Sequence, residues 1–136
     1  MPRLTNALLG FLLAGSALAH AEPNERIACH LNYGGESRIV EARPTASPYA
    51  VAPVDVGSYL QFRIVFRTEP ADLASIKLYA YGNYEDGRSL IQQATYNYPP
   101  LVHDRRYGFT GLNQVYEPRY GLELEYWCEL KQEISK

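Results

Sequence analysis

The sequence predicts an all-β protein, an antiparallel β-sandwich of about six or seven strands. Three observations support this fold class. Several segments alternate apolar and polar side chains with a period of two, turn-forming residues and prolines separate those segments, and a helical period is almost absent. A small closed β-barrel is the alternative architecture.

The first two strands are predicted over residues 26–32 (RIACHLN) and 37–43 (SRIVEAR), with a turn at Tyr33-Gly34-Gly35-Glu36 between them. The three prolines of residues 42–53 (ARPTASPYAVAP) then mark a loop. The clearest alternation follows in residues 58–68 (SYLQFRIVFRT), which therefore predict a half-buried strand. Residues 69–75 (EPADLAS) allow at most one helical turn.

A hairpin is predicted around residues 83–89 (NYEDGRS), and its register follows from the apolar faces of its two strands. A three-residue loop, Glu85 to Gly87 with the glycine in the left-handed position, makes those faces coincide. It pairs Leu78 with Ala94, Ile76 with Tyr96 and Gly82 with Leu90. A two-residue Asp86-Gly87 loop would place polar residues opposite Ile76 and Leu78, so the three-residue loop is expected.

The last strand is predicted over residues 120–131 (YGLELEYWCELK), where apolar side chains and glutamates occupy opposite faces. These elements together favour an immunoglobulin-like sandwich architecture. Tyr126-x-Cys128 locally resembles the tyrosine and second cysteine of antibody-type domains. Only eight residues follow Cys128, which leaves little room for a further strand, so the resemblance implies no function.

The two cysteines, Cys29 and Cys128, lie in the predicted first and last strands. Their wide separation lacks the short C-x-x-C spacing of metal or redox sites. In an oxidising compartment such a pair is expected to form a disulfide. The sequence therefore predicts a bridge between the ends of the fold.

The N-terminus has the pattern of a secretory signal peptide, residues 1–21, followed by a single domain over residues 22–136. Arg3 precedes an apolar run over residues 7–19, which is too short to span a membrane. Cleavage after Ala19 leaves His20 as the first residue, and cleavage after Ala21 leaves Glu22; both sites fit the pattern. A periplasmic or secreted protein without stable membrane insertion is expected.

Charge limits the classes of partner. After the signal peptide, acidic residues slightly outnumber basic ones, so no general attraction to nucleic acid is expected. All 12 tyrosines lie beyond the apolar run, and tyrosine is common at recognition surfaces. The hairpin register turns Lys77, Tyr79 and Tyr81 outward, beside Thr95, Gln93 and Ile91.

Two candidate contact surfaces follow. The first is the outward stripe of Tyr79 and Tyr81 with Gln93. The second is the loop at residues 102–109 (VHDRRYGF), which contains His103, Asp104, Arg105, Arg106 and Tyr107. Its guanidinium groups are suited to carboxylate or phosphate partners. The alternative is that the arginines pair with Asp104 or with nearby glutamates.

Copper binding is a second hypothesis. A terminal His20 would present an α-amine and an imidazole, and His103 or His30 would add another imidazole for Cu(II). This arrangement resembles copper carriers and copper oxygenases that begin with histidine. His30, next to Cys29, is expected to point away from the core.

No nucleophile motif stands out, and the acidic pair Glu123 and Glu125 is interpreted as a solvated strand face. A non-enzymatic protein without a cofactor is therefore expected, with a hydrolytic enzyme or a copper oxidase as the remaining alternatives. The function favoured by the sequence is an exported binding module that contacts an envelope or extracellular protein, a glycan or a small anionic ligand. The sequence leaves the oligomeric state open.

Overall fold

The computed structural model describes residue 10, residues 24–102 and residues 105–133. The described residues form two open, four-stranded antiparallel sheets. The strands are β1 (Asn24–Tyr33), β2 (Glu36–Ala42), β3 (Val54–Val56), β4 (Leu60–Arg67), β5 (Ser75–Tyr84), β6 (Gly87–Asn97), β7 (Asn113–Glu117) and β8 (Leu122–Glu133). The first sheet has the order β2-β1-β8-β7, and the second has the order β3-β4-β5-β6.

The predicted β-sandwich is therefore confirmed, and the closed barrel is wrong because both sheets stay open. The described residues form eight strands, slightly more than the six or seven predicted. Two short strands account for the difference. β3 has three residues, and the five-residue β7 turns the charged Glu117 inward, so neither shows an extended apolar alternation.

The core lies between the sheets and is built from the inward side chains of the alternating strands. Phe62, Ile64 and Phe66 of β4 are buried, as are Leu124 and Tyr126 of β8. The rings of Phe62 and Tyr126 meet across the two sheets with their centroids 5.0 Å apart. Removal of this apolar surface from water is the main force that holds the sheets together.

The predicted disulfide is present between Cys29 and Cys128. The two residues are direct partners of neighbouring strands, β1 and β8, with their Cα atoms 4.0 Å apart. The bond therefore lies within one sheet, whereas the disulfide of antibody-type domains connects two sheets. It is typical of an oxidising compartment.

Among the parts of the chain that the structure describes, no helix has the length and apolarity needed to cross a membrane. The predicted signal peptide, with both of its cleavage sites, lies outside the described residues apart from Gly10.

The β5–β6 hairpin corrects one detail of the prediction. Leu78 pairs with Ala94 and Ile76 with Tyr96, as expected, but the loop contains only Glu85 and Asp86, so the three-residue loop is wrong. Gly82 consequently pairs with Ser89 rather than Leu90. A β-bulge at Ala80/Tyr81 shifts the register, so the apolar faces still match at the core end.

Candidate functional site

Tyr79 and Tyr81 lie on the outer face of the second sheet, as the hairpin register predicts. Their rings are nearly parallel, with an interplanar angle of 5° and centroids 6.0 Å apart. Gln93 lies opposite Tyr79 on β6 and is exposed, whereas Tyr81 lies opposite Leu90 rather than Ile91 because of the bulge. The structure therefore brings together the first of the two predicted contact surfaces.

Two arginines extend this pair of rings. The guanidinium carbon of Arg63 lies 5.0 Å from the centroid of the Tyr79 ring, and that of Arg88 lies 5.2 Å from the centroid of the Tyr81 ring. Cation–π attraction and ring stacking thus fix four side chains relative to one another. We call Arg63, Tyr79, Tyr81 and Arg88 the tyrosine–arginine row.

A groove of about 340 Å³ lies next to this row on the same face. Three cationic side chains line it, Arg63, Arg67 and Lys77, and no carboxylate does. Tyr49, which is 94 % exposed, stands on its rim. We call this feature the cationic groove.

The cationic groove is held open by the loop that precedes β3. The Arg63 guanidinium donates hydrogen bonds to the carbonyl oxygens of Val51, at 2.8 Å, and of Pro48. These bonds anchor the segment that carries Tyr49 against β4. The Nε of Arg67 is buried and has no hydrogen-bond partner among the described residues.

The outer face of the second sheet is strongly cationic. The outward side chains of its strands include four cations, Arg63, Arg67, Lys77 and Arg88. The carboxylate that these strands turn to the same face is Asp55 of β3. Asp55 accepts a 2.8 Å hydrogen bond from the Gln61 amide, whose oxygen accepts one of 2.8 Å from Arg88. This chain fixes the far end of the face and leaves the cationic groove without a counter-charge.

The second predicted surface lies elsewhere. His103 and Asp104 are outside the described residues, and Arg105 is exposed. The Arg106 guanidinium lies 5.2 Å from the Tyr107 ring, and that ring contacts Trp127, an outward residue of β8, at 6.2 Å between centroids. The structure therefore places Arg106 and Tyr107 on the first sheet, on the opposite side of the sandwich from Tyr79 and Tyr81.

Gly108 fixes this loop against β8. Its φ is +61°, and a Cβ atom added there would lie 2.0 Å from the carbonyl oxygen of Cys128. The next residue, Phe109, donates a 3.0 Å backbone hydrogen bond to that same oxygen. Only glycine allows so close an approach of two backbones in this conformation.

His30 points away from the core, as predicted, and one of its ring nitrogens is engaged by a carboxylate. Its Nε2 lies 2.6 Å from a carboxylate oxygen of Glu129, and its ring stacks on Trp127 at 3.9 Å between centroids. A second groove of about 420 Å³ borders these rings. His20 and His103 lie outside the described residues, and within those residues no group of three or more His, Cys, Asp or Glu side chains is placed to hold a metal.

A buried polar cluster escaped the sequence analysis. Glu117 is fully buried and accepts hydrogen bonds from the Tyr84 hydroxyl and from the backbone N–H groups of Arg119 and Tyr120. Burial alone would raise the pKa of Glu117, but these hydrogen bonds outweigh it and the pKa is lowered. Arg119 in turn donates a hydrogen bond to Asp86 and so connects the β7–β8 turn to the β5–β6 turn. This hydrogen bond lowers the pKa of Asp86.

The sequence analysis did not predict the cationic groove, although it did predict that several of its residues face outward. The alternation of residues 58–68 turns Arg63 and Arg67 outward, and the hairpin register does the same for Lys77. The pairing of β4 with β5 is the missing step, because it sets Arg63 directly opposite Tyr79. No alternating pattern pointed to Tyr49, since it lies in a short 3-10 helix, Pro48–Ala50.

Comparisons of this chain with protein-family models, with curated proteins and with solved structures found no match.

Proposed function

We propose that this chain is an exported, non-enzymatic binding module whose outer second-sheet face binds an acidic surface of another protein. One observation carries the proposal: Arg63, Arg67 and Lys77 line a single groove beside the tyrosine–arginine row, and no carboxylate lines that groove. Three cations without a counter-charge attract a carboxylate-rich partner and repel a basic one.

The residue types favour a protein partner over a glycan. Tyrosine and arginine are enriched among the residues that dominate the binding energy of protein interfaces. The Tyr79 and Tyr81 rings stack on each other and hold two guanidinium groups, so their main role is to orient those groups. Guanidinium edges bind carboxylates with two parallel hydrogen bonds.

Export is part of the proposal. The signal-peptide pattern and the Cys29–Cys128 disulfide both fit a protein that works in an oxidising compartment, either the periplasm or the outside of the cell. The partner is therefore expected in that same compartment. Arg105, Arg106 and Tyr107 have no assigned part in this contact, because Tyr107 packs on the other sheet.

The test uses an oligoglutamate peptide as a defined acidic probe, titrated into the oxidised protein and followed by calorimetry. The peptide is expected to bind, with an affinity that falls as salt is raised. Lys77→Gln should weaken this binding several-fold, because Lys77 lines the cationic groove. Lys131→Gln is the matched control: it removes the same charge from β8, in the first sheet, and should leave binding unchanged.

Two outcomes would contradict the proposal. Equal losses in Lys77→Gln and Lys131→Gln would mean that the peptide responds only to overall charge. Tighter binding of an oligogalacturonate of the same charge would identify an acidic glycan as the partner class instead of a protein.

A further inference from the structure

The second sheet ends in a long edge strand that pairs on one side only. β6, Gly87–Asn97, has 11 residues and pairs only with β5, so one side of its backbone is unpaired within the sheet. Most of its residues are exposed, including Leu90 at 53 %. None of the described backbone hydrogen bonds outside the strands reaches a residue of β6.

The other three edges carry the features that protect sheets from pairing. β3 has three residues and β7 has five, so both are too short to offer a long ladder. β2 has seven residues but carries Glu36, Arg38 and Glu41. Short length and charge are the usual defences of an edge strand.

β6 lacks those defences. From Ser89 to Asn97 it contains no charged residue and no proline. Its one irregularity is the bulge at Ile91, where the pairing with β5 shifts between Ala80 and Tyr81. An uncharged strand with free N–H and C=O groups is suited to pair with another strand.

We propose that β6 pairs antiparallel with β6 of a second copy of this chain, which joins two four-stranded sheets into one sheet of eight strands. The proposal does not rest on the acidic partner proposed above. In a dimer with two-fold symmetry, each copy uses the same surface, so the unpaired edges of both β6 strands are paired at once. The opposite edge, β3, has only three residues, so the assembly closes as a dimer.

Charge makes a second copy a suitable occupant. For any two-fold centre from Ile91 to Thr95, Arg88 lies either opposite an uncharged residue of β6 between Ala94 and Asn97 or beyond the end of the partner β6. The two Arg88 side chains therefore never face each other. Like charges directly opposite would have destabilised the pair.

The dimer would also change the candidate site. Gln93 lies on the outer face of β6, next to Tyr79. Two β6 strands side by side would place both tyrosine–arginine rows and both cationic grooves on one continuous face. An acidic partner with two contact points would then gain affinity from the effective concentration of the second site.

The experiment measures the mass of the oxidised protein by sedimentation over a hundredfold range of concentration. A shift from one to two copies is expected. Gln93→Lys places a charge in the middle of the β6 edge and should weaken dimerisation about tenfold, which is about 1.4 kcal/mol. Gln114→Lys is the matched control, because the same change lies on β7, the edge of the other sheet, and should leave the dimer intact.

Amide hydrogen exchange supplies a second readout that does not depend on a variant. Amides of β6 should exchange more slowly at high than at low concentration, while those of the edge strand β2 should not change. A protein that stays monomeric with unchanged β6 exchange overturns the proposal. Equal weakening in Gln93→Lys and Gln114→Lys, or growth beyond two copies, also overturns the closed β6 dimer.

Discussion

The carboxylate of Glu117 accepts a hydrogen bond from the hydroxyl of Tyr84 and thereby connects β7 of the first sheet to β5 of the second. The hydroxyl and the backbone N–H groups of Arg119 and Tyr120 all donate to a charged acceptor that is fully buried. A buried charge survives only with such partners.

Acid should weaken the fold through Glu117. Its pKa is lowered in the folded state, so its contribution is present above the pKa of the unfolded chain and is lost as pH falls through the folded pKa. Glu117→Gln replaces one of the two accepting carboxylate oxygens by an NH2 group, which donates and cannot accept. This variant should therefore lower the urea midpoint of unfolding at neutral pH. The difference in urea midpoint between Glu117→Gln and the unmodified protein should disappear in acid. Glu123→Gln, at an exposed position of β8, is the control and should barely move the midpoint.

Reduction of the disulfide should cost a large share of the stability. Cys29 and Cys128 close a loop with a sequence separation of 99, and removal of a native disulfide from a small secreted domain costs about 2–5 kcal/mol. Urea unfolding with and without reductant measures the difference. The double variant Cys29→Ala and Cys128→Ala should match the reduced protein, and a reduced protein as stable as the oxidised one would contradict the expectation.

Replacement of a core tyrosine by alanine should cost more stability than replacement of a tyrosine on the outer face. Tyr126→Ala removes a ring that is 1 % exposed and packs on Phe62, so it should cost about 3–5 kcal/mol. Tyr79→Ala and Tyr81→Ala remove half-buried outer rings and should each cost about 1 kcal/mol or less. Thermal unfolding compares them. A large loss for the outer pair would show that these rings serve the fold rather than a partner.

Alkali should destabilise the protein through Tyr126. Burial raises its pKa far above the usual value of 10.0, so the folded state holds the proton while the unfolded chain releases it. The stability present below about pH 10 is therefore lost above it. The phenolate absorbance of this residue should rise together with unfolding. In Tyr126→Phe the stability should decline less steeply above that pH.

The cleavage site of the predicted signal peptide decides the copper hypothesis. If the protein is exported as proposed, its intact mass should correspond to a first residue at His20 or at Glu22, because both cleavage sites fit the signal pattern. A chain that begins with His20 should bind Cu(II) through its amine and imidazole and develop a visible absorption band. A chain that begins with Glu22 should not, and His20→Ala is the control for the first case.

Much of the fold follows from local patterns. The alternation of residues 58–68 and 120–131 identified β4 and β8 and their inward faces, because side chains of a strand point alternately to its two sides. The position of the cysteines near the two ends gave the disulfide. The hairpin register was right where Leu78 and Ile76 pair, because apolar faces select it, but the loop length was wrong, because a bulge absorbed one residue.

Glu117 shows where local patterns end. A glutamate at an inward position of a short strand suggests a loop, and its partners come from β5 and from the turn that follows β7. Local patterns also did not show that the two predicted contact surfaces lie on opposite sheets. The loop of Arg106 and Tyr107 follows β6 directly, yet Tyr107 packs on Trp127 of the other sheet.

The alternation of residues 58–68 and 120–131 predicted the inward and outward faces of β4 and β8, and the positions of Cys29 and Cys128 predicted their pairing, because these features depend on the period of a strand and on composition. The tertiary structure alone decided that β4 lies beside β5, which brings Arg63, Arg67 and Lys77 into one groove, and that β6 ends its sheet. Strand order depends on hydrogen bonds and packing between segments far apart in the chain, and no local pattern records those contacts.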